Sequence, residues 1–405
     1  MLSEDVKERL AEALVDRIEE LNETILTEIG ESIKKIGKLT PSKAYQLVQQ
    51  LQYGGSYNNI VNKIIQITGL NEKQIYKIFE AIAKDNQLFA KQFYDYRGVD
   101  FIPYEQNIAL QNQARALAKI TADTYTNFMN TSAFMMFENG KKVYTPLSQI
   151  YNKVLDKAIL SISQGQEAYQ TAMRNTMREL SRNGIRTVDY ASGYSRRLDS
   201  AVRMNMLDGI RNLSNEMQRQ FGEEFDADGV EITVHMQPAP DHAEVQGKQF
   251  SNEEFDKFQN NLPAKDYQGK LYTHEHRAIS ELNCYHNVFS IVLGVSKPIY
   301  SDEQLKKINE DNNKGFEFEG KKYTLYEGTQ LQRQIETKIR QLKDRHIGAV
   351  AMEDLEEAGL LQNKIRILTN KYNYLCNKSG LQPKRTRMTV SGYKRIKRRW
   401  ARCTN

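Results

Sequence analysis

Apolar residues at Val6, Leu10, Leu14, Ile18, Leu21, Ile25, Ile29, Ile33 and Ile36 recur in steps of three and four. That spacing predicts one long helix carrying a continuous apolar stripe, capped by Ser3, with Glu4 and Asp5 in its first turn, and ending near Gly37. Such a stripe needs a partner, in this chain or in another subunit. Further helices are predicted at about 41–52, opened by Pro41, and at about 57–68 and 71–92, after a break at Gly54-Gly55. Residues 95–103 read as irregular. A second long helix is expected from Tyr104 to Phe137, followed by an Asn139-Gly140 turn. The stretch Lys142–Tyr144 is too short to assign. Helices resume at about 146–163, 166–182 and 192–221, so residues 1–225 read as almost wholly helical.

The pattern changes at Asp226. Val230, Ile232, Val234 and Met236 alternate with Glu231, Thr233 and His235, as in a half-buried strand with His235 on its polar face. Pro238 and Pro240 force a loop. Ser251–Glu254, Ser301–Gln304 and Thr329–Gln332 each have the form of a capping box, the third opening a long helix. Phe289–Leu293 reads as a buried strand. Phe316 and Phe318 face Tyr323 and Leu325 across a turn at Glu319–Lys322, which predicts a hairpin. Helical character then continues to Gly380, with a break near Met352–Asp354. The fold class is α+β and predominantly helical. The expected parts are a helical region (1–225), a small mixed domain (226–328), C-terminal helices (329–383) and a basic tail (384–405).

Composition changes this picture in one place. The 405 residues are 40% apolar and 27% charged, ordinary for a chain that builds packed cores. No apolar run approaches the ~18 residues of a membrane span, and the charged N-terminus does not read as a secretory signal. Cys284, Cys376 and Cys403 lie far apart, which suits a reducing compartment. The net charge is +6, yet nine Lys and Arg and no acid lie from Lys384 onward, so the remainder carries −3. Those nine are Lys384, Arg385, Arg387, Lys394, Arg395, Lys397, Arg398, Arg399 and Arg402. With Tyr393 and Trp400 among them, they suit nonspecific contact with the phosphates of double-stranded DNA. Like charges and little apolar surface predict a tail that is poorly ordered on its own.

Histidine placement is the other anomaly. Five of six histidines fall between His235 and His286. A Cys-x-His pair on an extended segment points both side chains to one face. His242, Cys284 and His286, with one of His235, His274 or His276, therefore form a candidate tetrahedral Zn²⁺ site, His235 being the fourth ligand favoured. The alternative is a hydrogen-bonded structural cluster. Asp241, His242, Asn283 and His286 also resemble, superficially, the His-Asn-His nuclease constellation, which would make the chain a metal-dependent DNA-cutting enzyme. No phosphate-loop, dinucleotide, zincin or nucleophile-elbow motif occurs, and no small-molecule substrate suggests itself.

Four stretches carry a resemblance: Arg203–Ile232, Pro240–Phe255, Glu281–Leu305 and Tyr323–Arg340. In that order they resemble the phage minor capsid protein 2 family, itself distantly similar to the head-morphogenesis proteins of Mu-like phages. The resemblance implies a non-enzymatic virion component of low copy number, typically encoded beside the portal protein. Its expected place is inside the capsid near the portal and the packaged DNA, after assembly in the bacterial cytoplasm. Its implied partners are the portal and other head proteins. The Mu-like relatives often carry Cys pairs that suggest zinc. Here Asp241-His242 and Asn283-Cys284-Tyr285-His286 stand at the corresponding places.

Overall fold

A computed structural model describes residues 4–52, 71–97, 100–138, 141–162, 164–189, 191–224, 226–280 and 284–396, with the single residues 62 and 66. The breaks proposed at Gly54-Gly55 and Asn139-Gly140, most of the helix expected at 57–68, Asn283 and the chain beyond Ile396 lie outside them. Contacts divide the chain into two compact units. One collects Met1–Glu12, Asn71–Tyr125 and Arg203–Gln330. The other collects Ala13–Leu70, Thr126–Val202 and Leu331–Asn405.

In the first unit, helix α3 (Asn71–Arg97) packs with the first part of α4 (Ile108–Asn130) and most of α7 (Leu198–Glu224). Gly209 is the point of closest approach. A Cβ there would overlap Thr121 Oγ1 and stand 2.9 Å from Phe79, so only glycine lets the three helices meet. Asn86 Nδ2 donates to Ser214 Oγ at 3.1 Å and Asn205 Nδ2 to the Thr121 carbonyl at 2.9 Å, which fixes the register of the helices.

The same unit holds the mixed region. Strand β5 (Gly229–Ile232) lies between β6 (Gln249–Ser251) and β9 (Val288–Ile291), all antiparallel, with Val230 opposite both Phe250 and Ser290. Short α8 (Asn252–Gln259) turns Phe255 and Phe258 onto this sheet. There they join Ile232, Val245, Phe250, Tyr272 and Ile279 in one buried cluster. Small β7 (Ala264–Lys265) and β8 (Leu271–Tyr272) close it. The strand stops at Ile232, short of the expected Met236. The His235 N–H bonds the Gln246 side chain instead of a neighbouring strand, which draws the backbone off the ladder. Ser251 caps α8 as expected, although Glu254 accepts from the Lys265 N–H and so leaves that box half made.

Downstream, Ser301 and Gln304 form the complete box that starts α9 (Asp302–Lys314). Strands β10 (Phe316–Phe318) and β11 (Lys321–Tyr323) make the expected hairpin, with Phe316 opposite Tyr323. Its two-residue turn is Glu319-Gly320, both at positive φ (52° and 73°), as a primed hairpin turn requires. The box expected at Thr329 is corrected. Helix α10 (Leu325–Ala351) starts four residues earlier, where Thr324 and Glu327 exchange side-chain and backbone hydrogen bonds at 2.8 and 3.1 Å. Thr329 lies inside the helix and bonds back to the Tyr326 carbonyl.

The second unit contains the part of α1 (Glu4–Ile36) from Ala13 onward, α2 (Pro41–Gln52), α5 (Leu147–Ile162), α6 (Gln166–Asn183), most of α10, and α11 (Leu355–Ser379). The stripe of α1 finds its partner in this chain: Leu14, Ile18, Leu21, Ile25, Ile29, Ile33 and Ile36 are buried. Ser32 shares a 2.8 Å hydrogen bond with Tyr151 on α5, Tyr169 on α6 donates to the Ile33 carbonyl, and Gly30 abuts Ala351. Asp354 caps α11 after the predicted break, and Gly380, in the left-handed region at φ 72°, ends it.

The all-helical reading of residues 1–225 is corrected here. The helix expected to reach Phe137 ends at Asn130, and β1 (Ser132–Glu138) follows. It pairs with β2 (Lys141–Pro146) and with β3 (Ile185–Val188), which pairs in turn with β4 (Ser195–Arg197). The run Ser-Ala-Phe-Met-Met-Phe is apolar enough for either state, and pairing with the adjacent β2 and with β3 some fifty positions away decides it.

Candidate metal centre

The two segments that build the centre are held by the backbone. After β5 the chain makes a tight turn over Ala239–Gly247. The N–H groups of His242 and Ala243 bond the Ala239 carbonyl, those of Val245 and Gln246 bond the His242 carbonyl, and the Gly247 N–H returns to Ile232. Gly247 sits at φ 70°, and a Cβ there would stand 2.6 Å from Leu305. The second segment, Cys284–Asn287, leads into β9. The Thr233 N–H donates to the Asn287 carbonyl at 2.9 Å, and the Asn287 N–H to Thr233 Oγ1 at 2.8 Å.

This brings His242, Cys284 and His286 together, all buried, with their donor atoms within 4.8 Å of one another. Cys284 Sγ lies 3.4 Å from His242 Nδ1 and 3.3 Å from His286 Nδ1. The opposite ring nitrogens are both occupied. His242 Nε2 meets the Arg277 carbonyl at 2.8 Å, and His286 Nε2 meets Gln246 Oε1 at 3.2 Å. Gln246 Oε1 also accepts from the His235 N–H at 2.9 Å, which fixes the orientation of its amide. Both Nε2 atoms therefore carry the proton, and both Nδ1 lone pairs face the same sulfur.

A thiol has one proton and can satisfy only one of two such acceptors. The other is left as a buried acceptor without a donor, at a cost of about 1–3 kcal/mol. A cation at this point removes the conflict. Zn–N bonds of about 2.0 Å and Zn–S bonds of about 2.3 Å give N···S edges of about 3.5 Å in a tetrahedron. The two observed S···N separations are close to that edge, and the Nε2 hydrogen bonds to carbonyl oxygens are the outer contacts that metal-bound histidines usually make. The residues present fit Zn²⁺. Burial pushes the His242 imidazole below its usual value and the His286 imidazole down to about 3, with the Arg277 charge adding to both, while burial pushes the Cys284 thiol up. Both histidines are thus neutral, as ligands must be, and the thiol has its proton to lose on binding metal.

The other expected participants fall elsewhere. His235 stacks on Tyr285 and accepts from the Gln237 N–H through Nδ1 at 3.0 Å, so it is not part of the three-residue donor set. His276 lies flat on Phe258, centroids 3.7 Å apart, with its two nitrogens on the carbonyls of His274 and Phe258. His274 is exposed. Asp241 Oδ2 stands 3.7 Å from His242 Nε2, the nitrogen that does not face Cys284, and is not part of the three-residue donor set. Arg277 grips its carboxylate through two 2.8 Å bonds. Against the cost of burial, those bonds and the neighbouring His242 hold the Asp241 carboxyl far below the usual range. Gln246 and Arg277 orient the histidines and were not singled out in the sequence, because each does so through a contact 35 or more residues distant.

Of the basic residues, Lys384 to Arg395 belong to a packed segment, which corrects the expectation of a loose tail from Lys384. Arg385 and Arg387 lie on a 3-10 turn (Arg385–Met388) whose Met388 is buried, as is Val390. The Lys384 N–H donates to Tyr372 Oη, and Gln362 holds the Ile396 backbone by both its amide atoms. Tyr393 meets His346 edge-on at 5.0 Å. Lys397, Arg398, Arg399 and Arg402 lie outside the described residues.

The geometry thus defines a predominantly helical α+β protein with an enclosed His-Cys-His centre and a basic C-terminal segment. The model of the family described as phage minor capsid protein 2 matches residues 2–377, and the chain belongs to that family. It is a structural protein of the phage virion that assembles with other head proteins. No curated protein and no solved structure matches it. No helix among the described residues is long and apolar enough to cross a membrane.

Proposed function

We propose that this minor capsid protein acts without enzymatic activity inside the head, at the portal vertex, where its basic C-terminal segment contacts packaged DNA. The observation that carries this reading is the segment Lys384–Ile396. It is basic, held against its unit by Tyr372, Gln362 and His346, and leaves Arg385, Lys394 and Arg395 exposed. Family membership supplies the setting. The apolar stripe of α1, which needed a partner in this chain or in another subunit, is buried within the chain from Leu14 to Ile36, so the reading gives the portal contact to another surface.

In the same reading, His242, Cys284 and His286 hold Zn²⁺ as a structural tie between the Ala239–Gly247 turn and the strand leading into β9. The metal would supply a fixed link there, and the chain's own Gln246 and Arg277 orient the imidazoles. No observation favours the nuclease alternative. The centre is buried, Asp241 is bound to Arg277, and both Nε2 atoms are engaged.

Cross-linking of intact virions followed by mass spectrometry, with co-expression of portal and full-length protein, tests the placement. Cross-links from this chain to the portal and co-purification are expected. Cross-links confined to the outer capsid face, with no co-purification at any salt concentration, would sink it. A plasmid-nicking assay with Mg²⁺, Mn²⁺ or Zn²⁺ should show no cleavage, and cleavage lost in His242→Ala would reverse the non-enzymatic assignment.

A further inference from the structure

The absence of acid extends further upstream than the last 22 residues. From Ala358 to Asn405 the sequence has no Asp or Glu, and Lys364, Arg366, Lys371 and Lys378 on α11 join the nine cations that follow. The fold gathers part of this charge. A groove of about 500 Å³ runs between α10, α11 and the returning C-terminal segment, lined by Lys343, Arg366, Arg385 and Arg395 and by no carboxylate.

We propose that this groove is a phosphate-binding track for double-stranded DNA, in which Arg366 and Arg385 contact the backbone directly and Lys343 and Arg395 set the potential. The inference rests on the reading of the chain as a head protein in contact with the packaged genome. It extends the contact of the Lys384–Ile396 segment onto α10 and α11, and so includes positions on two helices outside the basic tail.

Three observations carry it. Arg366 and Arg385 are exposed, and neither makes an ion pair with a described carboxylate. Arg366 NH2 donates to Asn363 Oδ1 at 2.9 Å, which holds the guanidinium on the groove wall. Lys343 is fixed by a 2.5 Å bond to the Met388 carbonyl and by the Tyr393 ring at 5.0 Å. Burial lowers its ammonium from the usual value, and the Arg395 charge adds to that against the pull of Glu19 and Asp344, so Lys343 and Arg395 stand close enough to feel each other.

The run of cations along the chain favours a long polyanion with a charge at every step. Asn370 and Asn373 on the wall present further amide groups, which bond phosphate oxygens in nonspecific DNA contacts. Ile365 and Met388 are buried in the floor, and Tyr393 and Ile396 stand half-buried beside them. Past Ile396 the sequence continues with Lys397, Arg398 and Arg399, so the charge carries on from the end of the groove.

Fluorescence anisotropy of a labelled 20-base-pair duplex across a salt series tests this on the full-length protein. Each phosphate contact contributes about 0.9 to the log–log salt slope. The double variant Arg366→Gln/Arg385→Gln should therefore lower the slope by about 1.8 and weaken binding at least about tenfold near 0.1 M salt. Arg366→Lys/Arg385→Lys should restore both, which a folding defect would not allow. Truncation after Ile396 should reduce the slope yet leave a remainder that the Gln pair removes. If the Gln pair leaves slope and affinity unchanged while truncation abolishes binding, the groove is wrong and the DNA reading stands. Failure of the unmodified protein to bind duplex at any salt overturns both. Loss of poly-glutamate binding in the Gln pair, with duplex binding unmoved, assigns the groove to an acidic protein and overturns the proposal.

Discussion

His242 gives its Nε2 proton to the backbone carbonyl of Arg277 at 2.8 Å, while the Arg277 guanidinium closes on the carboxylate of Asp241, the preceding residue. One residue thus sets both the tautomer and the direction of the histidine. The Nδ1 lone pair is aimed at Cys284 for a reason that lies 35 residues along the chain.

That relationship predicts metal content. Purified protein should contain about one Zn²⁺ per chain, because three converging donors with oriented outer contacts match the protein ligand set of a three-ligand zinc site. Cys284→Ser and His286→Ala should each lose the metal and lower the melting temperature. Chelation should lower it in the unmodified protein and leave the variants where they are. Elemental analysis without zinc, together with melting unchanged by chelator, would falsify the metal and leave a hydrogen-bonded cluster.

Gln246 is a sharper probe, since it touches no proposed metal position. Its Oε1 accepts from the His235 N–H and from His286 Nε2, and its Nε2 donates to Asn309 Oδ1 at 3.2 Å. Gln246→Leu leaves at least two buried donors unanswered, a loss of about 2–4 kcal/mol. It should also weaken metal retention about 10–100-fold by freeing the imidazole to rotate. Chemical denaturation and competition with a zinc indicator measure the two effects separately. A stable variant with unaltered zinc affinity would show that the amide is incidental.

Much of this architecture is legible in local pattern. The α1 stripe, the Ser301 box, the break before Asp354 and the stop at Gly380 depend on residues within a few positions of one another, and each appears where the pattern puts it. The His242, Cys284 and His286 grouping is also readable, because few residue types bind metal and they crowd one stretch. The β1–β3 pairing that joins the sheet is not, since Phe134 and Ile185 lie about fifty residues apart and leave no periodic trace. Thr329 misled because Thr324, three residues before Glu327, meets the same rule, and only packing chooses between them. The acid-free run from Ala358 can be counted in the sequence, but its groove cannot, as Arg366 and Arg385 lie on different elements.

Gly209 tests the packing of the first unit independently of any site. Alanine there would overlap Thr121 Oγ1 and crowd Phe79, and neither α4 nor α3 can withdraw without breaking the Asn205 and Asn86 bonds. Overpacking of this kind costs about 1–3 kcal/mol. Gly209→Ala should show that loss in urea unfolding with zinc content unaltered. An unchanged midpoint would mean that the helices are further apart than described.

The last prediction concerns acid in the second unit. Asp344 is buried with Arg197, Arg340 and Asp199, and Asn22 Nδ2 donates to its Oδ1 at 3.1 Å. Burial, opposed by Arg197 and Arg340 and reinforced by Asp199, pushes its carboxyl up to about 6. An unfolded aspartate titrates near ~3.9, so between these values the folded state binds the proton more tightly. The stabilisation is therefore complete below about pH 4 and is lost as pH rises through about 6, an effect on the order of 2–3 kcal/mol. Asp344→Asn keeps the shape and removes the titration. The stability difference between the native protein and this variant, followed by denaturant unfolding from pH 4 to 7, should fall with rising pH and level off above about 6.5. A difference that stays flat from pH 5 to 7 would mean that Arg197 and Arg340 outweigh burial, and that Asp344 is ionised throughout.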